Sequence, residues 1–490
     1  MGNLKNLIRK IFMPSINSQY EFTLPIKSES DSDIENVENV GNIEKIFSNI
    51  ASNLEYVKVQ YKTLLNSDIV VREFLLNARN KKFKAFILFI DGMVDTDLIN
   101  NYVLKPLMMK NTSNSFDGNQ THILSEAVTN NITVRKVKKF DIVSYISNCL
   151  LPQNSLKKES EFNNIFAGVN SGNCALFIDT LDIAFNIDVK GFKQRSIDSP
   201  NNEIVIKGPQ EAFVENMRTN TSLLRRGVNT ENLVIENIPV GKISKTNCSV
   251  CYIANIANSD LVAEVKYRIN NLGIDSLLSS GQLEQLIEET NKYSIPQILS
   301  TERPDKACKY LFEGRIIVLV NGNPYCLIMP ATLIDFVSSP EDTNLKFQFA
   351  NFLKFLRLIA MFITLLLPAF YIAITNFHQE LIPTELLFSI LASRENVPFP
   401  IIFEILVMEI SFELIREAGL RVPSPIGPTI GIVGALVLGQ AAVSANIVSP
   451  ILIIIVAITG IASFAIPDFS FGFHIRIMRF AFILFAFIAG

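Results

Sequence analysis

The sequence predicts an α/β cytosolic region of two subdomains followed by an α-helical transmembrane bundle, with about four full spans and a truncated fifth. Two observations predict it. Strand-like and helix-like periodicities alternate through the first two thirds of the chain, and from about Phe349 onward long apolar stretches appear that are nearly free of charge. With 490 residues the chain is long enough for several folded units at ~150 residues each. Four segments are expected. Residues 1–42 form a basic start (Lys5, Arg9, Lys10) and a polar tether, 43–165 a first α/β subdomain, 166–345 a second, and 346–490 the membrane domain.

In the first subdomain the pattern predicts a helix over 70–78, a strand over 84–91 and a helix over 96–109. Polar stretches at 111–120 and 152–164 follow, and the second divides the subdomains. Beyond it, strands are expected at 173–179, 183–189, 204–206, 233–236, 249–256 and 315–320, with helices at 259–271 and 281–288. Asn321-Gly322 marks a hairpin turn, because this pair tolerates positive φ. No internal repeat is visible in the residues.

In the last segment, 358–375 carries no charge over a length of roughly 27 Å as helix, close to a hydrocarbon core, with Pro368 as a possible kink point. Residues 386–415 read as a broken helix making one crossing, interrupted at Arg394, Pro398 and Pro400. Residues 426–445 and 447–466 are two further spans, and a final apolar run from Phe480 to Gly490 is too short to cross. Lys346, Lys354 and Arg357, then Arg416 and Arg421, then Arg476 and Arg479 read as three basic clusters on one side, which puts the soluble region in the cytosol.

Composition excludes several functions. Lys and Arg number 44 against 47 Asp and Glu, a net charge of −3, so there is no basic field for nucleic acid. Six cysteines with no processed secretion signal before them fit a reducing compartment. Cys248-Ser-Val-Cys251 lies in a strand pattern that points the thiols to opposite faces, which disfavours a metal or redox site. Only three histidines (His122, His378, His474) are present and no phosphate-binding or nucleophile-elbow motif, so neither enzyme, cofactor nor metal is expected.

Three constellations carry two readings each. Glu404, Glu409 and Glu413 lie inside a membrane segment, where carboxylates are costly. Glu409 and Glu413 share a helical face with Arg416 one turn on, so they either pair with it near the headgroups or line a cation path. In the third span, Thr429, Val433, Leu436, Gln440 and Ser444 fall on one face, and Gly427, Gly431, Gly434, Ala435, Ala442 and Ala445 on the opposite one. The small residues suit helix packing, and the polar-apolar-polar face suits a pore with an apolar gate. Alternatively the hydroxyls bond their own backbone and the aliphatic residues face lipid. In the soluble region Arg225, Arg226, Glu302, Arg303, Asp305 and Arg315 are charge-dense turns, read either as local salt links or as an interface between subunits or domains.

Taken in order, Ile206-Lys-Gly-Pro-Gln-Glu-Ala-Phe213, Thr301-Glu-Arg-Pro-Asp305, Glu313-Gly-Arg315, Ser339-Pro-Glu-Asp342, Phe377-His-Gln379, Arg394-Glu-Asn-Val-Pro-Phe-Pro400, Arg416-Glu-Ala-Gly-Leu-Arg421 and Gly439-Gln-Ala-Ala442 resemble the A subunits of GerA-type spore germinant receptors. The resemblance covers nearly everything from about Asn173 onward and, more loosely, the first subdomain. It implies a cytosolic two-part region, several membrane helices, the spore inner membrane as location, and partners: a transporter-like B subunit, a lipoprotein C subunit, membrane lipid and further copies of the chain. It implies a nutrient-gated channel for monovalent cations and so favours the pore reading of the third span. Members of that family continue past the position matching Gly490 to complete a last helix and a polar tail, which underlies the expected truncated fifth span. A non-conducting sensing or scaffold subunit, and a SpoVAF-like channel that amplifies germination without sensing nutrient, remain as alternatives.

Overall fold

The structure, a computed structural model, describes residues 45–78, 81–109, 142–153, 155–191, 200, 202–289, 295–421 and 439–490. The soluble region is built of two five-stranded sheets. The first contains β1 (Ile69–Ala78), β2 (Lys81–Ile90), β3 (Leu156–Glu159), β4 (Asn173–Ile178) and β5 (Ala184–Asp188) in the order β1-β2-β4-β5-β3. The second contains β6 (Leu233–Val240), β7 (Thr246–Ile253), β8 (Leu299–Thr301), β9 (Ile316–Val320) and β10 (Cys326–Met329) in the order β6-β7-β9-β10-β8. Every strand pairing is antiparallel.

The two sheets share one topology, and the helices repeat with them. Helix α1 (Ile50–Gln60) precedes the first sheet, helical turns at Thr96–Leu98, Ile99–Leu104, Lys105–Met108 and Ile142–Tyr145 connect β2 to β3, and α2 (Phe162–Asn170) joins β3 to β4. In the second unit α3 (Met217–Gly227), then α4 (Ser259–Asn270) and α5 (Ser280–Ile287), then α6 (Pro304–Phe312) hold the corresponding places. Each sheet is therefore covered on both faces. Phe86, Leu88 and Phe177 pack under α1 and α2, and Ile87, Leu176 and Phe185 under the helical connection. Ile235, Ile317 and Leu319 pack under α3 and α6, and Val234, Val250 and Val318 under α4 and α5. Strand alternation splits the residues in this way.

The structure corrects several expectations. No repeat was expected, yet the soluble region is a duplication of one α/β unit. The expected boundary at 165/166 cuts the first sheet, because β4 and β5 lie beyond it and complete that sheet. Residues 70–78, expected as a helix, form edge strand β1, paired with β2 along ten residue pairs. Residues 204–206 form no strand. The β9–β10 hairpin forms as expected, with Gly322 at φ +85° in its turn.

Below the second unit, α7 (Leu333–Val337) leads to the apolar helices: α8 (Phe347–Asn376), α9 (Thr384–Arg394), α10 (Ile401–Arg421), α11 (Pro450–Phe464) and α12 (Phe469–Ala489). Helices α8 and α12 are long and apolar enough to cross a membrane, at 30 and 21 residues. The expected fourth span is shorter, since α11 has 15 residues. The expected fifth begins earlier: α12 starts at Phe469 rather than Phe480 and runs for 21 residues to Ala489. Arg476 and Arg479, read as loop charges, lie inside that helix and are buried, so they do not report on sidedness. Helix directions follow from end contacts. The soluble core holds Met361 of α8 and Phe471 of α12, and Gly490 meets Phe377 and His378, so α8 and α12 run parallel, away from the soluble units. Glu404 near the start of α10 bonds Ser449 at the start of α11, and Arg416 bonds Ser463 near both ends, so this pair is also parallel.

Candidate functional site

Helix α10 carries four acids, and the three in its apolar first part, Glu404, Glu409 and Glu413, each lie against an arginine. Glu404 is buried in the first turn of α10, where a helix N-terminus favours negative charge. The Pro398–Pro400 break lets the chain fold back, so Arg394 at the end of α9 reaches Glu404 at 3.1 Å, and the Ser449 N–H donates to the same carboxylate at 3.0 Å. One carboxylate thereby ties α9, α10 and α11 together.

Glu409 and Glu413 form a second cluster with α12. Glu409 and Arg479 lie 2.9 Å apart with both side chains at 0% exposure. Glu413 accepts from Arg479 at 3.0 Å, Arg476 at 3.1 Å and, more weakly, Arg416 at 3.5 Å. Arg416 donates to Ser463 Oγ at 2.6 Å and lies over the rings of Phe464 and Phe412, at 4.7 and 5.2 Å. Two carboxylates and three guanidiniums thus join α10, α11 and α12. A charge among apolar helices costs several kcal/mol unless paired, and guanidinium stays charged at any accessible pH, so the acids offset the arginines' burial and the cluster holds the three helices in one register.

Helix α12 also reaches the soluble region. Phe471 stacks on Phe336 of α7 with centroids 5.3 Å apart, and Ile475 joins the same core as Leu319 and Ile328. Beside it, Arg357 of α8 pairs with buried Asp342 at 2.7 Å, and Asp342 caps its own turn by accepting from the Ser339 N–H. Within one helix, then, Phe471 and Ile475 belong to the soluble core while Arg476 and Arg479 belong to the buried charge network. A displacement of the second unit moves both.

The residues singled out in the soluble region are spread over several contacts. Arg225 of α3 makes a bidentate pair with Asp68 at 2.8 Å and donates to Asn66, joining the two units. The Asn66 side chain and the Ser67 backbone in turn bond Ile235 of β6, so the first unit caps the edge of the second sheet. Arg226 pairs with Glu211. Glu302 accepts from the backbone of Asn202 and Glu203, while Arg303 binds Asp305 and the carbonyls of Glu203 and Pro209. Arg315 holds Asp335 at 2.6 Å. Burial works to raise the Asp335 pKa, but the hydrogen bonds from Arg315 and Thr332 outweigh it and lower it below the usual value. Cys248 and Cys251 sit in the cores on opposite faces of the second sheet, and burial pushes Cys248 up to about 12, so neither is a reactive thiol.

Of the expected pore face, Gln440 and Ser444 are exposed, and of the packing face, Ala442 packs against the core shared by α8, α10 and α11. Thr429, Val433, Leu436, Gly427, Gly431, Gly434 and Ala435 lie outside the described residues. Sequence reasoning missed Arg476 and Arg479 as partners. Their spacing of three within residues 469–489, which places both on one helical face, was the available signal.

Comparison with known families matches residues 55–490 to the family described as Bacillus/Clostridium GerA spore germination protein. Among curated relatives, "Spore germination protein KA" of Bacillus subtilis is 37% identical over 91% of this chain and 77% of its own length. "Spore germination protein B1" of the same organism is 38% identical over 89% of this chain and 84% of its own length. A solved structure, the N-terminal domain of the A subunit of the Bacillus megaterium spore germinant receptor GerK3, is 30% identical, covering 59% of this chain and 97% of that one with a TM-score of 0.41.

Proposed function

We propose, from the premise that this chain belongs to the GerA family of Bacillus/Clostridium spore germination proteins, that it is the A subunit of a spore germinant receptor in the spore inner membrane. Several copies assemble with a transporter-like B subunit and a lipoprotein C subunit, and the assembly passes monovalent cations once germinant binds. The observation that carries this reading is the double attachment of α12. Its first turns are embedded in the core of the second soluble unit, and its next turns are clamped to α10 by Glu409 and Glu413. A rearrangement in the soluble region therefore has a direct route into the bundle, as a gated receptor requires.

The buried carboxylates are not assigned to the ion path, because arginines occupy them. The path is assigned to the third span, with Thr429, Val433, Leu436, Gln440 and Ser444 facing it and Leu436 near its apolar narrowing. Helix packing around it uses Gly427, Gly431, Gly434, Ala435 and Ala442. The test is cation efflux from liposomes holding the chain with its B-type partner. The reading expects germinant-dependent flux that Leu436→Ala alters. No flux with or without germinant would leave a non-conducting sensing or scaffold subunit.

A further inference from the structure

We propose that the exposed aromatic stripe on the first half of α8 is the surface against which a second copy of this chain packs. The inference deepens the oligomeric reading above and rests on it. Helices α8 and α12 leave the soluble core at Met361 and Ile475 and end together where Gly490 meets Phe377 and His378. At 1.5 Å per residue these stretches measure about 24 and 22 Å, most of the depth of a hydrocarbon core of ~30 Å. The preceding part of α8, from Phe347 to Ala360, then stands about 20 Å out on the soluble side, beyond the reach of the acyl chains.

That half-helix has two faces. One holds buried Ala350 and Ala360 and the Arg357–Asp342 pair, against the protein. The other shows Phe349, Phe352, Phe355, Leu356 and Ile359 at 61, 63, 60, 48 and 37% exposure, and continues on the same side down to Phe370 within the membrane. With ~200 Å² for a phenylalanine, the five expose roughly 500 Å², near the upper range for a patch on a lone soluble surface. Two such faces together bury about 1,000 Å², the lower bound for a specific interface.

The stripe contains no lysine or arginine. Lys346, Lys354 and Arg357 fall on the other side of the helix, so anionic headgroups find no cation on it. The partner must present an apolar helix that runs parallel to α8 and continues from the membrane into the soluble layer. A second copy carries such a helix at the same height by construction, and a two-fold axis along the membrane normal brings the two stripes together.

The test uses the full chain in nanodiscs, with mass measured for the wild type and for the Phe352→Asp/Phe355→Asp double variant. Both positions are exposed, so the thermal unfolding midpoint of the variant should stay within about 2 °C of a single-chain wild-type reference in dilute detergent. The proposal expects a wild-type mass that is a multiple of one chain and a variant mass that falls to one chain. An oligomer that persists in the variant overturns this contact and leaves the oligomeric reading standing. A wild type that is a single chain at every concentration overturns both. The chain has no tryptophan, so Phe352→Trp gives a single probe. Protection from iodide that depends on oligomer formation supports the contact, and quenching by brominated lipid overturns it.

Discussion

Replacing Arg479 by methionine should destabilise the bundle strongly, and replacing Glu409 at the same time should restore most of the loss. Arg479 is wholly buried, 2.9 Å from an equally buried Glu409 and 3.0 Å from Glu413. Glu413 keeps Arg476 and Arg416 when Arg479 goes, so the penalty falls on Glu409, whose carboxyl is left buried with no salt-bridge partner among the described residues. Breaking a buried pair from one side costs about 3–5 kcal/mol, whereas replacing both members with apolar groups of similar volume is close to neutral. At about 2–4 °C per kcal/mol for a region of this size, Arg479→Met should lower the unfolding midpoint by about 10 °C. The Glu409→Leu/Arg479→Met double variant should recover to within about 3 °C, a coupling of at least ~2 kcal/mol. The assay is thermal unfolding of the full chain in detergent micelles, run as a double-mutant cycle. An Arg479→Met variant as stable as wild type, or two effects that simply add, would refute the claim that this pair holds α10 to α12.

Three further outcomes are expected in the soluble region. Arg225→Met removes the buried link to Asp68, so limited proteolysis should release the two units from each other faster than in the wild type, with a stability loss of about 3 kcal/mol; an unchanged cleavage pattern would contradict this. Glu284 is pushed up to about 7, first by burial and then by the neighbouring Glu288 and Asp468. The folded chain keeps that proton up to about pH 7 while the unfolded chain releases it near 4.5, so stability falls as pH rises between these values. Glu284→Gln should remove that slope and be the more stable form at pH 8, with no advantage at pH 4, as read by unfolding midpoints at the two pH values. Finally, a Cβ at Gly227 would lie 2.5 Å from Cys308 Sγ, whereas one at Gly281 meets nothing within 4 Å. Gly227→Ala should therefore cost about 1–3 kcal/mol in chemical denaturation, and Gly281→Ala should be neutral or stabilising.

The soluble architecture was readable where a strand is buried on both faces. Residues such as Ile316–Val320 form a short, wholly apolar run that little but a central strand explains. Strand β1 was not readable in the same way. Its apolar residues at 70, 71, 74, 75 and 76 fall at helical spacing, and as an edge strand it leaves Arg72 and Glu73 exposed. Ten residue pairs with β2 decide its conformation, and those contacts are tertiary. The duplication was hidden because the two copies share topology rather than residues, and because the long connection from β2 to β3 has no counterpart of equal length between β7 and β8.

At the buried charge network, the acids could be found from sequence but not their partners. Glu413 and Arg416 lie three apart on one helix, which a wheel reveals. Arg476 and Arg479 lie 63 and 66 residues further along than Glu413. A hydropathy window breaks at such arginines, so it started the last helix at Phe480, eleven residues late. A buried guanidinium is paid for by a distant carboxylate, and hydropathy counts each residue alone.

The most direct test of the account is single-channel recording from the reconstituted receptor carrying Ser444→Cys in a Cys149→Ser background. Cys149 is the exposed cysteine, while Cys174, Cys248, Cys251, Cys308 and Cys326 are buried, so a charged thiol reagent reports on the new position. The account predicts germinant-dependent cation current that drops severalfold when the reagent modifies Cys at 444, and no change in the Cys149→Ser parent. A current that the reagent leaves untouched would take Ser444 out of the ion path. The absence of any current from the assembled receptor would contradict the channel reading itself.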